Sequence, residues 1–272
     1  MSLKWWILKM LRFNRRIHKS VAQDSVVEVT ELDGVRALHL GSSTIQSGMK
    51  VRDPFALELN YSRGIICFLL FSSKINSVLT IGLGGASVTK YIYKFCPDIT
   101  QTIVEINPQV ITVARSHFFL PGNDEKLNVM EGDGVQYLLN YRASTDCVII
   151  DVFDAYGIPP NCCTQDFFDS CFEVLKTDGI FVINLWGSDR NFDVYLQRIE
   201  HSFGRRVLVM PTGKPGNIIV FGFKDPLRLT EKKLRERAKV LEQDHKIEFS
   251  EFLDKLHAHN GYGALYNLLE NV

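Results

Sequence analysis

The sequence predicts an α/β protein in which a small antiparallel β-sheet precedes a parallel, doubly wound sheet. Two observations support this fold class. Between residues 77 and 223, short segments rich in β-branched residues alternate with amphipathic stretches of helical length, as in a series of strand–helix units. Before them, residues 25–50 alternate between apolar and polar on both sides of Asp33-Gly34, a dipeptide typical of a tight hairpin turn.

The composition is that of an ordinary globular protein with a sizeable core. The 272 residues are 46% hydrophobic and 23% charged, and 31 basic side chains balance 31 acidic ones. Without a net positive charge, no nucleic-acid partner is expected. None of the six cysteines forms a Cys-x-x-Cys motif, which favours reduced thiols in a cytoplasmic protein. A redox or metal pair at Cys162-Cys163 is the weaker alternative, so no metal is predicted.

The amino terminus is basic and amphipathic over residues 1–24. Its longest uncharged apolar run is residues 5–8, which is too short for a signal-peptide core or a membrane span. We expect a terminal helix that packs on the body of the protein or on another subunit. The alternative is a helix that lies on an anionic membrane surface through residues 1–19, because this segment combines tryptophans with lysines and arginines.

The other elements follow in chain order. The small β-domain is expected over residues 25–60, and a helix that buries apolar side chains is expected to begin at Asp53-Pro54. The main domain is expected over residues 61–225, with strands at 78–81, 102–105, 128–131, 147–151, 180–185, 207–210 and 218–223 and with helices between the first six strands. Residues 226–272 are predicted to be a charged helical tail, because Phe249, Phe252, Leu253 and Leu256 recur at helical spacing.

Glycines follow the first strand of the parallel sheet. Gly82-Leu83-Gly84 comes directly after segment 78–81, so the backbone can approach a ligand closely at the start of a helix. Glu105 ends the next strand, about 23 residues beyond Gly82, where a carboxylate can accept both hydroxyls of a ribose. The pattern predicts a nucleotide or nucleoside site. The alternative for Glu105 is a solvated glutamate at a strand end.

A Gly132-Asp133-Gly134 turn follows the third strand. The Asp133 carboxylate can accept a hydrogen bond from an adenine amino group there, although Asp and Gly also favour turns without any ligand. The glycine pattern fits both nicotinamide dinucleotides and S-adenosyl ligands. Ser87 stands where a dinucleotide fingerprint has Gly or Ala, and the Gly-Asp-Gly turn favours an adenosyl sulfonium.

Two carboxylates follow the fourth strand. Asp151 comes after the β-branched residues 148–150, and Asp154 comes three positions later, before Tyr156 and a Gly/Pro turn. These residues are expected at the carboxyl edge of the sheet, where open α/β folds bind ligands. Two carboxylates at that edge suit the binding or deprotonation of an amine. The alternative is a strand-end cap followed by a turn residue.

In this order and spacing, the motifs around Gly82, Glu105, Asp133 and Asp151 resemble the spermidine synthase family over about residues 25–223. The resemblance implies a Rossmann-like class I methyltransferase fold, with a seven-stranded, mostly parallel sheet and a small N-terminal β-hairpin domain. It implies an aminopropyltransferase that moves an aminopropyl group from decarboxylated S-adenosylmethionine to a polyamine such as putrescine, with methylthioadenosine as the co-product. A homodimer is expected.

The family implies roles at matching positions. The nucleoside is expected at Gly82, Gly84 and Gly85, with Glu105 at the ribose and Asp133 and Gly134 at the adenine. Asp151 is expected to be the catalytic carboxylate. The polyamine is expected to contact Asp154, Tyr156, Gln46 and Tyr61.

Several positions depart from the family pattern, mostly at the amine end of the pocket. Gly85 stands where the family has an aspartate, Ser62 replaces a glutamine, and Val152-Phe153 replace two serines. Lys214 adds a cation to a segment that usually carries a tyrosine. Two alternatives therefore remain: a methyltransferase that uses intact S-adenosylmethionine on the same fold, and a non-catalytic nucleoside-binding paralogue.

Overall fold

The computed structural model describes residues 15–22, 25–141, 143–155, 157–213, 216–227 and 229–268. Its strands are β1 (Arg15–Ala22), β2 (Ser25–Leu32), β3 (Val35–Leu40), β4 (Ser47–Lys50), β5 (Ser77–Ile81), β6 (Thr100–Glu105), β7 (Leu127–Glu131), β8 (Thr145–Ile150), β9 (Leu175–Trp186), β10 (Val207–Pro211) and β11 (Asn217–Phe223). Its α-helices are α1 (Asn60–Ile66), α2 (Ser87–Phe95), α3 (Pro108–His117), α4 (Gly134–Asn140), α5 (Gln165–Glu173), α6 (Phe192–Ser202), α7 (Glu231–His245) and α8 (Phe249–Leu268).

The first four strands form a small antiparallel sheet in chain order. The predicted hairpin between β2 and β3 is confirmed, since Asp33 and Gly34 take φ values of 50° and 77°, as a tight two-residue turn requires. Val27, Val29 and Leu38 are fully buried in a core that also contains residues of the second sheet, such as Ile103. One face of the small sheet is therefore packed on the main domain.

The amino-terminal segment differs from the expected helix. Residues 15–22 form β1, which pairs with β2 from Arg15 opposite Glu31 to Ala22 opposite Ser25. Pairing with β2 satisfies the backbone N–H and C=O groups of this segment, and that contact outweighs the local helical pattern. Residues 1–14, on which the expected contact with a membrane or subunit mainly depends, lie outside the described residues.

The second sheet has seven strands in the order β10-β11-β9-β8-β5-β6-β7, and this confirms the predicted architecture. Strands β5 to β9 pair in parallel, and β11 runs antiparallel to both of its neighbours. The order of the strands reverses at β5, which pairs with β6 on one side and with β8 on the other. The carboxyl ends of these three strands meet at this switch point, where open α/β sheets bind ligands.

Both faces of the large sheet are covered. In β8, Cys147 and Ile149 belong to the apolar core on one face, and Val148 and Ile150 belong to the core on the other. All four side chains are fully buried. This burial on two faces accounts for the uninterrupted apolar run that precedes Asp151.

The helix expected to begin at Asp53-Pro54 begins at Asn60 instead. Ala56 N donates to the carbonyl of Asp53 over 3.3 Å, so the chain first makes a turn, and Leu59 is still extended with φ −94° and ψ 140°. Only after Leu59 do the backbone angles become helical.

Among the described residues of the tail, α7 and α8 are helices. Phe249, Phe252, Leu253 and Leu256 of α8 are buried against the main domain. The domain boundaries near residues 24, 60 and 225 stay predictions. In the part of the chain that the structure describes, no helix is long and apolar enough to cross a membrane.

Candidate active site

The loop after β5 lies directly against the end of β8. Gly82 has a φ of +93°, and a Cβ at this position would collide with the carbonyl oxygen of Asp151. Gly82 N donates to Val104 O over 2.9 Å, and Asp151 N donates to Ile81 O over 3.0 Å. Glycine is therefore required for the three strand ends to converge.

Gly85 is held against the small sheet. Its N–H donates to Ser47 Oγ over 2.9 Å. A Cβ at Gly85 would lie 2.7 Å from Ser47 Cβ and 3.1 Å from the Phe118 ring. The departure from the family aspartate thus coincides with a position where the surrounding side chains leave no room for a Cβ.

Glu105 is fixed at the end of β6 by backbone donors. Leu83 N donates to Oε2 and Asn107 N donates to Oε1, each over 2.9 Å. Burial raises the pKa of this carboxyl, and the backbone N–H groups that surround it act in the opposite direction. Both carboxylate oxygens therefore accept from backbone N–H groups, one of them in the glycine loop, and the ribose contact stays a prediction.

Asp133 caps the start of α4. Its Oδ1 accepts from Val135 N over 2.8 Å and from Gln136 N over 3.3 Å, so a local capping role is present. Gly134 packs against Ile81, where a Cβ would collide with the Ile81 side chain. A pocket of about 570 Å³ opens beside Asp133, with Met130, Tyr137 and Tyr141 in its wall. The predicted contact with adenine stays a prediction.

Asp151 lies at the centre of the switch point. Its Oδ1 accepts from Asn184 Nδ2 over 3.0 Å. Burial raises the pKa of the carboxyl to about 6, although the hydrogen bond from Asn184 favours the charged form. A carboxylate with such a pKa is charged at neutral pH and is basic enough to accept a proton.

Tyr61, a predicted polyamine contact, lies near this point and bonds to the backbone of Gln46, a second one. Tyr61 Oη donates to the carbonyl of Gln46 over 2.7 Å. Burial, followed by the negative charge of Asp151, raises the pKa of the Tyr61 phenol well above its usual value, while a hydrogen bond with Ser47 lowers it. The phenol therefore stays protonated and lies near the Asp151 carboxylate.

Asp154 is exposed and stabilises its own turn. Asp154 N donates to Gly157 O over 2.9 Å, and Gly157 N donates to Asp154 Oδ1 over 3.0 Å. Gln46 Nε2 donates to the carbonyl of Asp154 over 3.4 Å, which links this turn to the small sheet. Tyr156 and Lys214 lie outside the described residues.

Sequence reasoning missed three polar residues of the site. Asn184 is buried within β9 and bonds to Asp151, and Asn217 donates to Asn184 Oδ1 over 2.9 Å. Ser47 holds the glycine loop. The signal for Asn184 was a single polar residue in the apolar run 180–185, because buried polar groups need hydrogen-bond partners. An aromatic pair was also missed: Phe153 and Trp186 stack at the same rim with ring centroids 5.3 Å apart.

No metal centre is evident among the described residues, where no three or more His, Cys, Asp or Glu side chains cluster with suitable geometry. Cys162 and Cys163 are buried free thiols. Burial raises the pKa of each to about 12, which disfavours the thiolate that a metal would need.

The sequence is similar to known enzymes over most of its length. Residues 58–211 match the family model described as the spermine/spermidine synthase domain. A polyamine aminopropyltransferase from Chromobacterium violaceum is 39% identical over 94% of this chain and 99% of the relative.

Two solved structures share the fold. A spermidine synthase in complex with the transition-state analogue AdoDATO superposes with a TM-score of 0.73 and 19% identity, over 89% of this chain and 85% of that one. Human methyltransferase-like protein 13 in complex with SAH superposes with a TM-score of 0.63 and 23% identity, over 70% and 93%. At these identities the similarity concerns the fold, which is the predicted Rossmann-like methyltransferase fold.

Proposed function

The chain belongs to the spermine/spermidine synthase family, and on this premise we propose that it is a polyamine aminopropyltransferase. One observation above all supports the proposal. The carboxyl group of Asp151, with a pKa of about 6, lies at the switch point beside the glycine loop and near the Tyr61 phenol. A base in that position suits an amine that must lose a proton during transfer.

The donor substrate is an S-adenosyl nucleoside, and we propose its decarboxylated form. Glu105 would accept the ribose hydroxyls, and Asp133 with the adjoining pocket would receive the adenine. Ile106 follows Glu105 and leaves 67% of its surface exposed, which offers an apolar face to the base. The glycine loop allows the backbone to approach the sulfonium side of the ligand.

The chemistry is a displacement at carbon. The nitrogen of the acceptor amine forms a bond to the terminal carbon of the aminopropyl group, and the carbon–sulfur bond breaks. The electron pair of that bond goes to sulfur, which leaves as the thioether methylthioadenosine. Asp151 accepts the proton that the attacking nitrogen loses, and in-line orientation of nitrogen and carbon supplies much of the acceleration.

Gly85 permits a second candidate, a methyltransferase that uses intact S-adenosylmethionine, although the family match supports the aminopropyltransferase. The family aspartate at this position would repel the carboxylate of intact methionine, and here Ser47 and Phe118 fill the space around the glycine. A methyl transfer gives S-adenosylhomocysteine instead of methylthioadenosine. The co-product therefore separates the two functions.

The test is incubation with decarboxylated S-adenosylmethionine and a panel of diamines, with products identified by mass. We expect an aminopropylated amine and an equal amount of methylthioadenosine. Formation of S-adenosylhomocysteine from the intact sulfonium, with no aminopropyl transfer, would support the methyltransferase. Thermal stabilisation by nucleosides without turnover of either donor would support the non-catalytic paralogue.

Location and assembly are part of the proposal. The six cysteines are free and buried, which suits the reducing cytoplasm. A homodimer and a peripheral membrane contact through residues 1–19 stay predictions. Light scattering measures the first, and sedimentation with anionic vesicles measures the second.

A further inference from the structure

A line of side-chain amides leads away from Asp151 across the large sheet. Asn184 Nδ2 donates to Asp151 Oδ1 over 3.0 Å, and Asn217 Nδ2 donates to Asn184 Oδ1 over 2.9 Å. Asn184 and Asn217 leave only 1% and 7% of their surfaces exposed. The line therefore connects β8, β9 and β11 through contacts that are largely shielded from solvent.

The second amide helps to orient the first one. An asparagine carboxamide has a donor end and an acceptor end, and only the donor end stabilises a carboxylate. Because Asn217 donates to the Asn184 oxygen, the Asn184 NH₂ group is directed at Asp151. Without that donor, only the charged Asp151 carboxylate, which can accept but not donate, holds the amide in this orientation.

The hairpin between β10 and β11 holds Asn217 in turn. The carbonyl of Asn217 accepts from Thr212 N and from Thr212 Oγ1, each over 3.0 Å. Asn60 Nδ2, at the start of α1, donates to the Thr212 carbonyl over 3.3 Å. The support thus reaches from the site to the base of the β10–β11 connection.

We propose that Asn184 and Asn217 are positioning residues, which together orient Asp151 and favour its charged form for the transfer reaction. Asn184 acts by direct donation, and Asn217 acts only through Asn184. This assignment rests on the proposed function, in which Asp151 is the base.

Few other ionisable groups face Asp151 in a way that could orient its carboxylate or favour its charged form. From α1 it is faced by the Tyr61 phenol, which is neutral at neutral pH because its pKa is raised. The glycine loop contributes no ionisable side chain. Glu105 on β6 accepts from Leu83 N and Asn107 N, and the exposed Asp154 accepts from Gly157 N in its own turn. Among the described residues, Asn184 donates a side-chain hydrogen bond to the Asp151 carboxylate.

The test uses Asn184→Leu, Asn217→Leu and the double variant, with Asn76→Leu as the control. Asn76 is exposed and directly precedes β5. It therefore lies at the amino ends of the parallel strands, whereas Asp151 lies at their carboxyl ends. The readout is the titration midpoint of the Asp151 carboxyl, followed by ¹³C NMR of aspartate-labelled protein and assigned with Asp151→Asn. A second readout is the acid limb of kcat/KM for the amine transfer.

We expect Asn184→Leu to raise the midpoint by about one pH unit, because a hydrogen bond to a charged group is lost. Asn217→Leu should raise it by less, and the double variant should match Asn184→Leu. Asn76→Leu should leave it unchanged. A merely structural role would lower the melting temperature without moving the midpoint.

An unchanged midpoint in Asn184→Leu would overturn the proposal, and additive shifts in the double variant would overturn the role of Asn217. If Asn184→Leu does not fold, the midpoint of Asn217→Leu alone decides the question. The NMR titration does not depend on turnover. A shifted midpoint in a protein that transfers no amine would reject the proposed function and keep the positioning roles.

Discussion

At the scale of single residues, Asp151 experiences two opposing effects. Burial raises the pKa of its carboxyl to about 6, and the hydrogen bond from Asn184 favours the charged form. Because Asp151 must be deprotonated to act as the proposed base, kcat/KM should fall as the pH drops through about 6 and should level off above it. A pH–rate profile measures this limb. An acid limb that stays flat down to pH 4.5 would contradict the assignment.

Replacement of the Asp151 carboxylate should affect catalysis and stability differently. Asp151→Asn should lower kcat by about 10²- to 10⁴-fold, the usual contribution of a positioned base. A raised folded pKa means that the charged carboxylate lowers stability as the pH rises through about 6. Asp151→Asn should therefore melt no lower than the parent at pH 7.5. Calorimetry and single-turnover kinetics test the two halves separately.

Gly85 provides a second prediction for a single residue. In Gly85→Ala the new methyl group would lie 2.7 Å from Ser47 Cβ and 3.1 Å from the Phe118 ring. Such overpacking should destabilise the protein by about 1–3 kcal/mol. Gly122→Ala is the matched control, because its Cβ meets nothing within 4 Å. Urea denaturation of both variants compares them, and equal midpoints would contradict the packing at Gly85.

At the scale of elements, each of the two edge strands of the large sheet is bonded along its outer side by one asparagine side chain. In β10, Val209 N donates to Asn260 Oδ1 and Asn260 Nδ2 donates to Val209 O, both over 2.7 Å. In β7, Val129 N donates to Asn123 Oδ1 over 3.1 Å, and Asn123 Nδ2 donates to Val129 O over 3.0 Å. Each carboxamide thus forms hydrogen bonds with the N–H and C=O groups of an edge strand. These backbone groups are then not available to pair with another strand.

Asn260→Ala should expose this edge. Val209 would lose both partners at once, so we expect a loss of about 1–3 kcal/mol in the free energy of unfolding and a greater tendency to aggregate. His259→Ala, an exposed neighbour on α8, is the control. Thermal melts with light scattering measure both effects. Identical behaviour of the two variants would contradict a protective role for Asn260.

The elements also explain what could be predicted from the sequence. Gly82 and Asp151 each follow a strand of the parallel sheet and Glu105 ends another, so their convergence follows from the local pattern together with the switch-point rule. The contact between Asn184 and Asp151 depends on β8 and β9 being neighbours, and 33 residues separate the two side chains. The pairing of β1 with β2 likewise depends on a tertiary contact that overrides helical propensity.

At the scale of the whole molecule, a buried lysine joins the small sheet to the main domain. Lys90 on α2 leaves 1% of its surface exposed. Its Nζ donates to the carbonyls of Phe118 and Pro54 over 2.6 and 2.8 Å, and it lies 3.1 Å from Met49 Sδ in β4. Ser47 at the start of the same strand, and Gln46 directly before it, reach the candidate active site. The position of the small sheet therefore affects the pocket, and Lys90 helps to fix that position.

Burial lowers the pKa of Lys90 to about 8, and this makes its contribution to stability depend on pH. Between the folded value and the ordinary value near 10.5, the unfolded chain binds more protons than the folded one, so this group adds stability as the pH rises through that window.

Lys90→Met leaves two buried carbonyls without a donor and removes the titration. The parent should thus be more stable than Lys90→Met at pH 7.5, and by a wider margin at pH 10, on the order of 1–3 kcal/mol more. Buried cysteines titrate in both proteins, so their effect cancels in the difference. Urea denaturation at both pH values measures this difference in stability. Lys94→Met, an exposed lysine on the same helix, is the control. A difference that stays constant or narrows with pH would show that burial does not lower the pKa of Lys90.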